Sequence, residues 1–393
     1  MYPVVNGHMY PAVKGHARRI RVLQLVASSR GGGASHVRDL ALGLSQDDAF
    51  EVTVAMAADG GNVSPDDFSA AGIPFEVVDI AEGFPWHEVK HVRQLLQRGR
   101  FHILHVHGSR AALFGRLAAA TIRSRPRVVF SIHGFATPWY SLVKRWTYIA
   151  LERAMQRVTD RTICVARAEA DSFLSLGLAR PERIDIVPHG IDVARFAEGP
   201  RHTNALRAEL QLGEGPVVLM VCRLNVPRDF GTLLAAFGRV RREFPAAHLL
   251  IVGDGPQRGQ VDALVTHLGL ADNVRITGFR DDVPALMALA DVCVLTSYAW
   301  EGLPISTLEA QAAGRPVVVT DAGGSREAVL HEKTGLIVPK RSPQLLADAL
   351  VRLLRDAHLR RSLGEAGRQR ARKEFTRERM VERIGRIYCD LIA

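Results

Sequence analysis

Two glutamates eight residues apart, Glu301 and Glu309, are the side chains of this chain best spaced for chemistry. They stand in SYAWEGLPISTLEAQAAGRP, where a proline marks the first turn of a helix of about ten residues and Gly314 marks its end. Glu301 then sits at the N-terminal mouth of that helix and Glu309 inside it. The mouth, from Gly302 onward, offers unpaired backbone N–H groups to a phosphate or a sugar hydroxyl, Pro304 itself having none, and each carboxylate can accept from vicinal hydroxyls. The plainer alternative makes Glu301 a first-turn charge and Glu309 a solvated helix residue. Arg223 ends the run VVLMVCRL and Arg228 follows five residues later, so two permanent cations fall at the carboxyl edge of a sheet. Such a pair suits a diphosphate whose charge grows as its bond breaks, and a surface salt bridge is the alternative for each.

Three further groups are weaker. Gly31, Gly32 and Gly33 close a strand and open a helix, a geometry that favours an anion, but GGGASH lacks the dinucleotide spacing and MAADG is a poor substitute for an acidic strand end. VGDGPQ resembles half a fingerprint and reads better as a tight turn. His105, His107 and His133 end strands at HVHG and SIHG, yet no neighbouring cysteine or acidic ligand completes a set, so no metal is expected.

These residues need a scaffold, and the pattern supplies one. IRVLQLVAS, FEVTVAMA, FEVVDI, HILHVHG, RVVFSIHG and RTICVA are strand-like runs separated by helical segments, the alternation of a parallel sheet with helices on both faces. The pattern loosens after IDIVPHGID and restarts with PVVLMVCRL, AHLLIVGDG, NVRITGF, DVCVLTS and RPVVVTDAG. The expected fold is α/β, two doubly wound parallel sheets facing a cleft. The expected division is 1–19, a loose extension carrying the near-duplicate MYPVVNGH and MYPAVKGH; 20–195; 196–376; and a final helix, 377–393, with Met380, Ile384, Ile387 and Leu391 on one side.

The chain has 393 residues, 47% hydrophobic and 23% charged, which excludes a disordered protein. Cys164, Cys222, Cys293 and Cys389 lie far apart and mostly in apolar runs, so neither a zinc site nor a disulfide framework is expected and a reducing cytosol fits. No apolar stretch is long enough to span a membrane and the N-terminus lacks a signal-peptide core. The net charge is +10, but Lys90 to Arg167 alone holds 15 basic and two acidic residues. That segment suits an anionic membrane surface, a phosphorylated substrate or nucleic acid, or it is simply arginine on solvated helix faces. Within it a helix from about Ser141 to Thr159 is read first as core-packing and second as membrane-surface. No nucleic-acid-reading motif accompanies the charge, so nucleic acid is not expected as a partner.

VCRLNVPRDFGTLLAAF, LLIVGDGP, TGFRDDVPALMALADVCVLTS and EGLPISTLEAQAAGRPVVVTDAGGSREAV together resemble the donor domain of family 4 glycosyltransferases, and GGGASHV, SIHGF and IVPHGID extend the resemblance from about Ile20 to the C-terminus. It implies the GT-B architecture, with an acceptor domain, a donor domain and a last helix crossing back to the first. It also implies retaining, metal-independent transfer from a nucleotide diphosphate sugar, UDP- or GDP-linked, with no further cofactor. Glu301 resembles the first glutamate of the family's E-x7-E motif, at the transferred sugar, and Glu309 the second, on the ribose. Arg223 resembles the arginine on the diphosphate, and Arg228 stands where lysine is usual, keeping charge but changing shape. Gly32 and Gly33 resemble the loop whose amides approach the donor phosphate or acceptor. His133 resembles the histidine on the donor sugar; it joins Glu301 and Arg223 as the expected catalytic set. Gly302, Leu303 and Pro304 count with the donor site, and Gly278, Phe279 and Arg280 with the nucleobase. His189 replaces a commoner asparagine.

Within the family, the basic aromatic helix and LERAMQRVTDRTICVA resemble capsule, exopolysaccharide and lipopolysaccharide transferases. The implied acceptor is a glycan or polyprenyl-diphosphate-linked sugar, and the implied location is cytoplasmic, peripheral on the inner membrane face. The rival readings are an epimerase or hydrolase of the same fold and a non-catalytic scaffold.

Overall fold

The computed structural model describes residues 19–80, 82–134, 141–197 and 203–393. The octapeptide repeat and Phe135 of SIHGF lie outside them. The chain divides into two compact units, Met1–Gly190 with Arg377–Ala393, and Ile191–Thr376.

The first unit holds seven strands: β1 (Ile20–Val26), β2 (Phe50–Met56), β3 (Phe75–Val77), β4 (Ile103–His107), β5 (Arg127–Ser131), β6 (Arg161–Cys164) and β7 (Ile184–Ile186). All pair in parallel, in the order β3-β2-β1-β4-β5-β6-β7. The second unit holds β8 (Val217–Val221), β9 (His248–Val252), β10 (Val274–Ile276), β11 (Val292–Leu295), β12 (Val317–Thr320) and β13 (Gly335–Val338), in the parallel order β10-β9-β8-β11-β12-β13. Each sheet therefore reverses direction once, between β1 and β4 and between β8 and β11. At such a switch the following loops leave to opposite sides and open a crevice at the carboxyl ends.

Near-continuous burial along β1, β4, β8 and β9 explains their apolar runs, because helices cover both faces of a parallel sheet. The final strands β7 and β13 are not among the runs expected from sequence. Each is a short edge strand, of three and four residues.

The helix Arg377–Ile392 belongs to the first unit. Its Met380, Val381, Ile384 and Ile387 pack with Val37, Leu40 and Leu44 of the helix Gly32–Ser45. Contact is close at Gly43, where a Cβ would stand 2.4 Å from a methyl of Val381. The expected division at 195/196 falls instead at 190/191. The short helix Val193–Ala197 packs on Ile305–Ala312 and on Val283–Leu289, which draws it into the second unit.

The basic segment is partly spent inside the first unit. Arg116 is buried and forms a two-bond pair with Glu152, at 2.9 and 2.7 Å, with its guanidinium 4.7 Å from the Phe130 ring. Arg125 pairs with Asp160 at 2.6 Å. The helix expected from Ser141 runs Leu142–Met155, capped by Ser141, and of its residues only Ile149 and Glu152 are buried. Its first turns are exposed, Leu142 at 73%, Val143 at 79% and Trp146 at 63%, which sets aside the core-packing reading for that end. No helix among the described residues is long and apolar enough to cross a membrane.

Candidate active site

In the second unit the chemistry gathers where β8 and β11 part. After β8 the chain turns through Arg223 to Asp229, and Asp229 caps the helix Phe230–Glu243 by accepting from Thr232 N at 2.9 Å. This loop is stitched to the end of β11: Asp229 N donates to Thr296 O at 3.0 Å and Tyr298 N to Pro227 O at 3.1 Å. VGDGPQ backs it from the other side. Leu224 N donates to Asp254 O and Gln257 N to Leu224 O, both at 2.9 Å, and a Cβ on Gly255 would lie 2.4 Å from Leu224 O. The segment is a tight turn packed on the backbone of the Arg223 loop.

The stitching brings Arg228 onto Glu301. Arg228 Nη1 donates to Glu301 Oε2 and to Ser297 Oγ, the latter at 2.7 Å, while Ser297 Oγ lies 3.0 Å from the same carboxylate oxygen. Ser297 is itself fixed, since its N and O both bond Thr320 Oγ1, at 2.8 and 2.9 Å. Burial works against the charge of Arg228, but Glu301 and then Cys222 outweigh it and raise its pKa above the ordinary value. Arg228 thus forms a largely buried salt bridge with Glu301 itself, not the surface pair weighed from the sequence. Arg223 is exposed and makes no ion pair among the described residues, leaving a permanent cation at the carboxyl edge.

The helix after Glu301 is Ile305–Ala312, eight residues rather than ten, with Pro304 as N-cap and Gly314 turning the chain at φ 69°. Leu303 and Pro304 are buried, Gly302 is half-buried, and Glu309 lies half-buried on the helix. Gly278 turns at φ 76°, and Phe279 beside it is 60% exposed. Arg280 does not stand free beside them. It is held by Asp282 at 2.7 Å and Glu209 at 2.6 Å, which raise its pKa.

In the first unit the glycine loop follows β1. Gly32 is the first residue of its helix and exposed, and no acidic side chain occupies the first turn. Nothing lies within 4 Å of a Cβ placed on Gly33, so the helix start is open. Asp59 of MAADG serves this loop: Ser28 Oγ donates to it at 2.7 Å and Ser29 N at 2.8 Å. Partial burial raises its pKa, but these bonds, chiefly from the Ser29 and Ser28 hydroxyls, bring it below the ordinary value.

His133 follows β5 in the left-handed region, φ 53°, and Gly134 at φ 119° continues the turn. A non-glycine residue holds such a conformation only when its surroundings enforce it. Buried Glu169 does so, accepting from Gly134 N at 3.1 Å and Val165 N at 2.8 Å. Around His133 stand His36, His107 and His189. His107 Nδ1 is 2.9 Å from His133 Nε2, and His189 Nδ1 is 3.1 Å from His36 Nδ1. Burial, with mutual repulsion as the lesser cause, holds His36, His107 and His133 well below the ordinary imidazole pKa; burial alone takes His105 to about 3 and His189 to about 4. All five rings are neutral at pH 7.

The sequence weighed His105, His107 and His133 as metal ligands. The structure groups His36, His133 and His189 instead, with ligand atoms within 4.8 Å of one another, the set among the described residues whose spacing could hold a borderline divalent cation. All four cysteines are free, and burial raises the pKa of each.

Two Rossmann-type sheets, each with an open helix start or permanent cations at its switch point, define a nucleotide-binding protein. The profile described as Glycosyltransferase Family 4 matches residues 30–195, and that described as Glycosyl transferases group 1 matches residues 215–356. A GDP-mannose-dependent alpha-(1-6)-phosphatidylinositol monomannoside mannosyltransferase from Mycobacterium tuberculosis is 34% identical over 67% of this chain and 69% of its own. An Escherichia coli UDP-Gal:alpha-D-GlcNAc-diphosphoundecaprenol alpha-1,3-galactosyltransferase is 27% identical over 76% of this chain and 78% of its own. The crystal structure of Anabaena Alr3699/HepE with UDP-glucose superposes with a TM-score of 0.83 at 23% identity, covering 95% of this chain and 100% of that one. The chain belongs to glycosyltransferase family 4, has the GT-B fold, and is a glycosyltransferase that draws on a nucleotide-sugar donor.

Sequence reasoning missed Ser297, Glu169, Gln24, Tyr388 and His36, and gave His189 no role. Tyr388 carried a signal, since it shares the apolar helix face of Met380 and Ile384. Glu169 and Gln24 carried none beyond a polar residue in an apolar setting.

Proposed function

We propose that this enzyme moves a hexosyl group from a UDP- or GDP-linked sugar to a glycan or polyprenyl-diphosphate-linked acceptor in cell-surface polysaccharide synthesis, with retention and without an obligatory metal. The observation that carries this reading is Arg228 held against Glu301. A carboxylate engaged on Oε2 by Arg228 and Ser297 is suited to grip sugar hydroxyls with Oε1 rather than to attack carbon. The guanidinium groups of Arg228 and Arg223 supply the charge that the departing diphosphate needs, a role that a divalent cation fills elsewhere. In the reaction the bond from sugar C1 to the phosphate oxygen breaks and its electron pair leaves on the diphosphate. The acceptor oxygen bonds C1 from the same face, and its proton passes to the leaving phosphate oxygen. Glu309 binds the ribose, Phe279 stacks on the base, and His133 meets the donor sugar. The open glycine loop at Gly32 and Gly33 takes the phosphate or the acceptor.

Exposed Leu142, Val143 and Trp146 interleave with Lys144 and Arg145 at one end of a helix, which supports docking on an anionic lipid surface at the cytoplasmic face. The lipid-linked acceptor of the Escherichia coli relative agrees with that placement.

The test is a screen of labelled UDP-, GDP-, ADP- and TDP-sugars with and without membrane lipid extract and EDTA, comparing the enzyme with Glu301→Ala. Transfer of one sugar into lipid, unaffected by EDTA, α-linked from an α-donor and lost in the variant, is expected. Hydrolysis or epimerisation without transfer would favour the rival enzyme readings, and unchanged transfer by Glu301→Ala would remove Glu301 from the site. Cosedimentation with phosphatidylglycerol but not phosphatidylcholine vesicles, lost in Trp146→Glu, tests the docking surface.

A further inference from the structure

The first unit contains an unbroken hydrogen-bonded chain beneath His133. Ser131 Oγ lies 2.8 Å from His105 Nε2, and His105 Nδ1 lies 2.5 Å from the Tyr388 hydroxyl. Gln24 Nε2 lies 3.0 Å from that hydroxyl, Gln24 Oε1 lies 2.7 Å from His107 Nε2, and His107 Nδ1 lies 2.9 Å from His133 Nε2. Ser131, His105, Tyr388 and Gln24 are fully buried and His107 nearly so. His133 Nδ1, beyond the last link, is a buried atom with no hydrogen-bond partner.

We propose that Gln24 and Tyr388 are positioning residues that set the tautomer of His133, so that it presents Nδ1 as a hydrogen-bond acceptor. The proposal rests on the reading of His133 as the residue that meets the donor sugar, and it goes further by naming which nitrogen acts and what selects it. A neutral imidazole carries one N–H, so each ring in the chain accepts on one side and donates on the other. With Gln24 Oε1 toward His107, His107 must donate from Nε2 and accept at Nδ1. His133 must then donate from Nε2, and its Nδ1 keeps a lone pair. On the other side Gln24 Nε2 donates to Tyr388, whose hydroxyl donates to His105 Nδ1, and His105 Nε2–H donates to Ser131.

Rotating the Gln24 amide by half a turn reverses every link and leaves His133 Nδ1 as a donor. An amide's oxygen and nitrogen are assigned from their partners, so the partners must choose. Tyr388 chooses. A phenol is a strong donor and a weak acceptor, and its 2.5 Å approach to His105 with 3.0 Å to Gln24 matches O–H donation to the imidazole and N–H donation from the amide. The reversed chain would need an imidazole N–H···O bond of 2.5 Å, below the N–H···O range, and a phenol-to-carbonyl bond of 3.0 Å, at the long end of the O–H···O range. Tyr388 lies on the C-terminal helix, so docking of that helix fixes the polarity of a ring contributed by the loop after β5. An acceptor nitrogen at His133 selects a donor sugar that offers a hydroxyl proton there.

The test reads the ring directly. Long-range nitrogen–proton correlation spectra of the full chain labelled with nitrogen-15 histidine, with His133→Gln used to assign the signal, should show His133 as the Nε2–H tautomer. Tyr388→Phe should convert it to a mixture of both tautomers and lower kcat about tenfold with donor KM changed less than about twofold. A wild-type His133 in the Nδ1–H form would overturn the proposal without any variant, as would a Tyr388→Phe spectrum in which His133 is unmoved. If Tyr388→Phe does not fold, Gln24→Met provides the same comparison. Unchanged transfer by His133→Ala would instead sink the site reading while leaving the tautomer result standing.

Discussion

Gly323 lies against the backbone of Glu301: a Cβ on Gly323 would stand 2.3 Å from Glu301 O, the oxygen that accepts from Gly324 N at 2.9 Å. Gly323 also sits at φ 54°, a conformation that side chains resist. The turn after β12 therefore holds the carboxylate in place through its own main chain. Gly323→Ala is expected to push Glu301 out of register with Arg228 and lower kcat/KM about 100-fold, on the scale of a 1 Å misplacement. Steady-state kinetics on a variant with native circular dichroism check this; near wild-type turnover would show that Glu301 tolerates the shift.

Arg228 stands where relatives are expected to carry lysine, and its Nη1 alone serves both Ser297 and Glu301. Arg228→Lys keeps the charge but loses the planar fork, so kcat/KM should fall about tenfold, whereas Arg228→Met should cost about 100-fold or more. Equal losses in the two variants would mean that geometry, not charge, is what matters there.

The Arg116–Glu152 pair is almost fully buried, with side chains 2% and 4% exposed. Removing one partner strands the other charge, and Glu152→Ala should cost about 3–5 kcal/mol in urea unfolding. A loss below about 1 kcal/mol would show that water reaches Arg116.

The buried histidines make stability depend on acid. Their folded-state pKa values are lowered, to about 3 for His105 and about 4 for His189, so the unfolded chain protonates first as pH falls. Stability is full above about pH 6.5 and declines below it, by about 1.4 kcal/mol per pH unit for each such ring, until the folded-state values are reached. Thermal unfolding between pH 7 and 5 should show this decline and a shallower one in His105→Gln. A pH-independent midpoint would mean that the rings are solvated.

The arrangement of the candidate site in the second unit is legible as far as it is local: Glu301, Gly302 and Pro304 after it, and Arg223 beyond a strand end are read from neighbours along the chain, and the elements form where the pattern puts them. What the pattern concealed was company: Ser297 and Gly323 carry no spacing signal, and Arg280, expected near the nucleobase, is taken by Asp282 and Glu209.

The sequence alone determined two parallel sheets, their glycine loops and the spacing of the two glutamates, because hydrophobic alternation and turn chemistry act over a few residues. Only the tertiary structure decided that His36, His105, His107, His133 and His189 share one buried cluster, that Tyr388 reaches Gln24 from 364 residues away, and that Arg228 faces Glu301. Those meetings depend on sheet register and helix docking, which burial of the whole core sets and no local window contains.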